Sequence, residues 1–147
     1  MARQVRAIVL AMALAALVGC DDPFPPGATV HGTWGGSNAG LLADDTSGHV
    51  HIGCTYGDLH HPIVLDMSSH FDVAGEYNIT AHPVDLGILH PARFTGSIDG
   101  HTMTLQVALT DTAVTLGPVS LTLDKEPSMG PCPICFGKKA TRSRPSR

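Results

Sequence analysis

From Thr29 onward, apolar and polar residues alternate with a period of two, and turn-forming residues recur every eight to twelve positions. That pattern belongs to short strands with one buried and one exposed face. Val30, Gly32 and Trp34 share a face of a first strand that stops at Gly35-Gly36, and Ala39, Leu41 and Ala43 share a face of a second. Val50, Ile52 and Cys54 line a third, after which Tyr56-Gly57-Asp58 reads as a turn. Leu59 to Leu65 reads as a fourth strand, with Pro62 marking an edge or a bulge because proline has no N–H for a ladder. The fifth places Phe71, Val73, Gly75, Tyr77 and Ile79 on one face, and a loop rich in Pro and Gly follows to Pro91. Ala92, Phe94, Gly96 and Ile98 face the same way on a sixth strand, which Asp99-Gly100 joins to a seventh carrying Met103, Leu105, Val107 and Leu109. The eighth, Val114 to Leu123, changes parity at Gly117-Pro118, where a bulge or bend is expected.

No window in this region carries helical periodicity. Glycines inside strands permit the strong coiling of a small closed sheet, and closure removes exposed edges. The expected fold is all-β, a small antiparallel up-and-down β-barrel of about eight strands, with a two-sheet β-sandwich as the alternative.

Upstream, Arg3 and Arg6 precede an apolar run, Ala7 to Val18, too short for the roughly 20 residues that span a bilayer. A basic start, an apolar middle and small residues before a cut make a secretory signal. Leu17-Val18-Gly19-Cys20 resembles the motif of a bacterial lipoprotein signal. The resemblance implies cleavage before Cys20, lipid attached to Cys20, and an extracytoplasmic domain anchored through that lipid to a bacterial membrane. The expected plan is a signal peptide over 1–19, a Pro-rich tether over 20–28 and a barrel over 29–124. A C-terminal segment over 125–137 carries Cys132 and Cys135, and a basic, disordered tail covers 138–147.

The formal net charge of −4 hides a partition. From Cys20 to Gly137 only Arg93 and Lys125 oppose all 13 acids, a net of −11, whereas Lys138, Lys139, Arg142, Arg144 and Arg147 crowd the last ten residues. An acidic body argues against nucleic acid as a partner.

Gly32-Thr33-Trp34 resembles the Gly-x-Trp of the calycin barrels, in which the Trp packs across the closed end, often against an Arg of the last strand. Arg93, on the sixth strand, is the one candidate here. Together with Gly35-Gly36, Cys54, Gly75-x-Tyr77, Gly96-x-Ile98-x-Gly100 and Met103-x-Leu105, the motif also resembles small secreted bacterial β-proteins, a likeness that brings no activity with it.

Cysteines outside the cytoplasm favour disulfides. With Cys20 reserved for lipid, the order of expectation is Cys54 with Cys132, then Cys54 with Cys135, then Cys132 with Cys135. Cys132-Pro133-Ile134-Cys135 has redox spacing but no following helix to lower a thiol pKa.

Histidines are the other concentration, nine in all. His49-x-His51 puts two imidazoles on one strand face about 7 Å apart by strand rise. His60-His61 falls on the next strand, so one of that pair can reach them to form a Zn or Cu site on the outer face. Asp44-Asp45, Asp58 and Asp66 lack calcium-loop spacing and read as turn residues. No nucleophile, zinc-protease or phosphate-loop motif is present, and no catalytic residue is assigned. The expectation is a non-catalytic binding module for a small ligand or a protein partner, an enzyme inhibitor among them, with metal capture as the alternative. A ligand pocket would be lined by Phe71, Tyr77, Phe94, Met103 and Leu105, which are core residues if the barrel is filled.

Overall fold

The computed structural model describes residues 22–80 and 83–132, so Cys20, Cys135, the signal segment and the basic tail lie outside the described residues. The described chain forms β1 (Thr29–Val30), β2 (Gly32–Gly36), β3 (Ala39–Ala43), β4 (Gly48–Ile52), β5 (Thr55–Leu59), β6 (Ile63–Val64), β7 (His70–Asn78), β8 (His90–Asp99), β9 (Thr102–Leu109) and β10 (Thr115–Leu123). Eight of these close an antiparallel barrel in the order β10-β2-β3-β4-β5-β7-β8-β9, while β1 and β6 pair as a separate two-stranded sheet. The barrel is up-and-down throughout.

Alternation decides which side of each strand faces inward. Trp34, Leu41, Val50, Gly57 and Tyr77 follow one another through successive register pairs. The four that have side chains are buried in one continuous apolar cluster with Phe71, Phe94, Met103 and Leu105. Gly57 occupies an inward position because the Tyr77 ring crosses it, and a Cβ there would sit 2.3 Å from a ring carbon.

That crossing corrects the turn expected at Tyr56-Gly57-Asp58, which lies inside β5. The chain reverses earlier, at Gly53-Cys54, where Gly53 takes a positive φ of 60°. The expected fourth strand is also split, since Leu59 ends β5 and Ile63-Val64 leaves the barrel to pair with β1. The first strand breaks likewise at His31, leaving Val30 on β1 and Trp34 on β2. The β8–β9 hairpin closes on the pair Asp99 and Thr102, so its two loop residues are Gly100 and His101. The parity change at Gly117-Pro118 is a register shift between Leu116 and Val119.

The start of β2 and the ends of β3, β5 and β8 meet at one end of the barrel. Phe24, Val30, Ile63 and Leu65 are buried there in the same cluster, and the Phe24 ring lies 5.5 Å from that of Trp34. The Gly27 N–H donates to the Leu65 carbonyl and the Leu65 N–H to that of Ala28, tying the incoming chain to the β6 segment. The stretch read as a proline tether is therefore fastened to the barrel at Phe24, its one large aromatic filling the barrel mouth, while Pro25, Pro26 and Gly27 stay exposed. This end is plugged.

Candidate functional site

The interior holds no ligand wall. Phe71, Tyr77, Phe94, Met103 and Leu105 are all buried and packed on their neighbours, which makes them core. Eight strands leave an inside just wide enough for such side chains. Burial also pushes the Tyr77 phenol up, against its hydrogen bonds with the Thr55 hydroxyl and the Ile52 backbone. Concave surface lies instead outside β3, β4 and β5.

After β10 the chain does not leave. The Asp124 N–H donates to the Thr33 carbonyl, the Ser128 N–H to that of Gly36, and the Asn38 N–H to that of Ser128. Residues 124–132 thus run back along the outside of β2 and β3 as a strap. Space for it comes from the outward pair Gly35 and Gly40, since a Cβ on Gly40 would lie 2.4 Å from Pro127 Cγ. A Cys54–Cys132 disulfide, with Cα atoms 5.5 Å apart, fastens its far end to the β4–β5 turn. The first-ranked pairing from sequence is the one formed.

Between strap and barrel lies a groove of about 360 Å³, walled by Thr33, Leu42, His49 and His51 on the barrel side and by Glu126 and Met129 on the strap. A second hollow of about 380 Å³ shares His51 and Met129 and extends to Tyr56, Asp85 and the disulfide. The two form one surface.

Outward residues in register supply its chemistry. Thr33, Leu42, His49 and Asp58 stand side by side on β2 to β5, as do Gly40, His51 and Tyr56 on β3 to β5. His49 Nδ1 is 2.5 Å from Asp58 Oδ1, and His49 Nε2 is 3.0 Å from His51 Nε2. A carboxylate oxygen accepts, so the His49 Nδ1–H donates to Asp58, and the Nε2 of the same ring meets His51 Nε2. Burial, and then the neighbouring His49, lower the His51 pKa from its ordinary value, against the opposing pull of Asp58 and the Thr55 backbone.

The structure thus brings His49 and His51 together but not His60 or His61 with them. His60 follows β5 and approaches Glu76 at 3.4 Å, and His61 is exposed in the loop beyond. Asp58 takes the cross-strand place opposite His49 that the shifted turn had hidden. Among the described residues no three or more His, Cys, Asp or Glu side chains are grouped to hold a metal.

The upper wall is the β7–β8 loop. Asn78, fully buried, donates to Asp85 Oδ1 at 2.7 Å and accepts from the Thr80 N–H and hydroxyl. Tyr56 donates its hydroxyl to Asp85 Oδ2 at 2.8 Å, and the Gly87 N–H donates to Asp85 Oδ1. The described part of this loop, residues 83–89, nevertheless exposes Val84 and Leu86, each 64% accessible, with Ile88 at 44% and Leu89 at 47%. Sequence reading missed Asp58, Asn78 and Asp85. Only Asn78 carried a local signal, a turn-forming Asn two residues before the N–H it captures.

Elsewhere, Asp44 and Asp66 cap their own turns. Hydrogen bonds hold both carboxyls below the ordinary value, from Thr46 and Ser47 in one case and from His70 and Ser68 in the other. Arg93 is bidentate to Asp72 on the outer face, away from Trp34, whose indole N–H donates to the His31 carbonyl. The Trp–Arg contact expected from the calycin resemblance does not form between Trp34 and Arg93, and the Phe24 ring lies against Trp34 instead. Compared with protein-family models, curated proteins and solved structures, the chain gives no match.

Proposed function

We propose that this protein is a lipid-anchored, extracytoplasmic, non-catalytic binding module that recognises a protein partner through the outside of its barrel. The observation that carries the reading is the β7–β8 loop. Its backbone is held through Asn78 and Asp85, yet Val84, Leu86, Ile88 and Leu89 face solvent. Presenting exposed apolar anchors on an ordered frame reduces the entropy lost on binding. Phe24, four residues after Cys20, is buried at the opposite, plugged end, so a tether at Cys20 would turn the loop away from the membrane. Acids outnumber cations in the body, which suits a partner whose apolar cleft is rimmed by basic residues.

A photo-crosslinking residue at position 86, compared with one at Met67 on the plugged-end loop, tests this in cells. Discrete protein adducts are expected from position 86, lost on competition with excess parent protein and absent from position 67. Adducts to lipid alone from position 86 would make the loop a membrane contact and defeat the reading. A Cys20→Ser chain is expected in the soluble extracytoplasmic fraction, and its retention on membranes would refute the anchor.

A further inference from the structure

We infer that the groove beside the strap is the docking site of the chain's own C-terminal segment, residues 133–147, whose cations lie against the acids that rim it. The inference goes beyond partner recognition, and its test needs no partner.

Three features lead to it. The first is where the segment starts. The described chain ends at Cys132, and the disulfide to Cys54 fixes that point on the hollow that shares His51 and Met129 with the groove. At ~3.5 Å per residue, Lys138 can lie up to about 20 Å from Cys132. The four strands β3, β4, β5 and β7 span only about 14 Å at ~4.8 Å spacing. A tether this short holds the cations at roughly millimolar effective concentration, so a weak contact is enough to seat them. Second, the two surfaces agree in kind. Ile134 and Phe136 come first in the segment, and Lys138, Lys139, Arg142, Arg144 and Arg147 follow with no acid among them. The groove offers exposed Met129 and Leu42 to the apolar part. Around it stand Glu126 on the strap, Asp85 on the β7–β8 loop, and Asp58 and Glu76 on β5 and β7. Third, the acids are short of cations. Asp58 and Glu76 are direct cross-strand neighbours, an arrangement in which like charges repel and a cation laid between them is favoured. Among the described residues the only Lys and Arg are Lys125 and Arg93, and Arg93 is taken by Asp72. Lys125, exposed beside Glu126, is therefore the one fixed cation near the groove.

The test uses the full chain in micelles of an uncharged detergent, with free thiols alkylated and a benzophenone residue in place of Ala140, which leaves all five cations intact. After irradiation, peptide mapping is expected to place the intramolecular crosslinks on Leu42 and Met129, not on residues 110–114, the β9–β10 turn at the same end of the barrel. Their yield should not change on dilution. It should fall by about fivefold or more in roughly 0.5 M NaCl, where exposed charges are screened beyond a few Å. Glu126→Lys/Glu76→Lys should lower it as much, and so should Lys138→Glu/Lys139→Glu, whose changes lie outside the barrel and cannot unfold it. Crosslinks spread equally over residues 110–114 would overturn the docking site, as would a yield indifferent to salt and to both charge reversals. Crosslinks found only between two copies, or only to anionic lipid when it is added to the micelles, would overturn the choice of occupant.

Discussion

The two ends of this barrel treat apolar side chains in opposite ways. At the plugged end, Phe24, Val30, Ile63 and Leu65 come from segments outside the barrel strands and are nonetheless buried, each at most 3% accessible. At the other end, Val84, Leu86, Ile88 and Leu89 also come from a connecting segment, and they stay in water. The difference lies in what holds each backbone. The plug is ordered by the apolar surface that it covers, whereas the β7–β8 loop is ordered by polar contacts through Asn78 and Asp85. A loop ordered by hydrogen bonds leaves its apolar residues uncommitted, and such residues are available to a partner.

The sharpest way to break the contrast is to remove what fixes the strap beside the β7–β8 loop. Cys54→Ser opens a disulfide spanning 78 residues and should cost about 4 kcal/mol by the chain-entropy account, read from denaturant midpoints under non-reducing conditions. Phe24→Ala should cost about 3 kcal/mol, because deleting a packed aromatic leaves a cavity in the plug. A cost under 1 kcal/mol would show the plug to be dispensable. Asn78→Ala should cost about 1 kcal/mol by removing the buried amide that ties Asp85 and Thr80 to the end of β7, and amide exchange should rise across residues 83–89 but not across β1 and β6. Val84→Ser, with the crosslinking residue kept at position 86, should change stability by less than about 0.5 kcal/mol while sharply weakening the crosslinks, separating display from packing.

The smallest effect is electrostatic and local to the turns of the plugged end. The Asp66 carboxyl titrates below its ordinary value of 3.8 in the folded chain, chiefly through the His70 and Ser68 N–H groups. Its stabilisation is therefore complete above pH 3.8 and fades as pH falls through the lower folded value. The melting-temperature gap between the parent and Asp66→Asn should be present at pH 7 and close below pH 3.8. A gap that persists there would mean that the turn depends on shape and not on charge.

The fold and the site differ in how much of them could be read ahead of the coordinates. The alternation from Ala39 to Ala43, from Phe71 to Tyr77 and from Ala92 to Leu109 specified strands and their inward faces, because a period of two leaves each residue one choice of side. His49 and His51 were placed on one outer face by the same rule. The turn before β5 was misplaced by three residues, since Tyr56-Gly57-Asp58 has turn composition, and the need for a glycine under Tyr77 appears only when β5 and β7 meet. That error concealed Asp58 as the partner of His49, and it put His60 and His61 into a site from which the true register excludes them.

Patterning by itself thus determined an all-β chain, its strand faces and a pair of outward histidines, because these follow from local sterics and the period of the pleat. The preference for Cys54 with Cys132 also matched the bond formed. Tertiary structure decided the closure of β10 on β2, the plug built from β1, β6 and Phe24, the strap over Gly35 and Gly40, and the meeting of Asp58 with His49 and of Asn78 with Asp85. Each depends on which distant segments share a register or a barrel end, and no spacing along the chain encodes that.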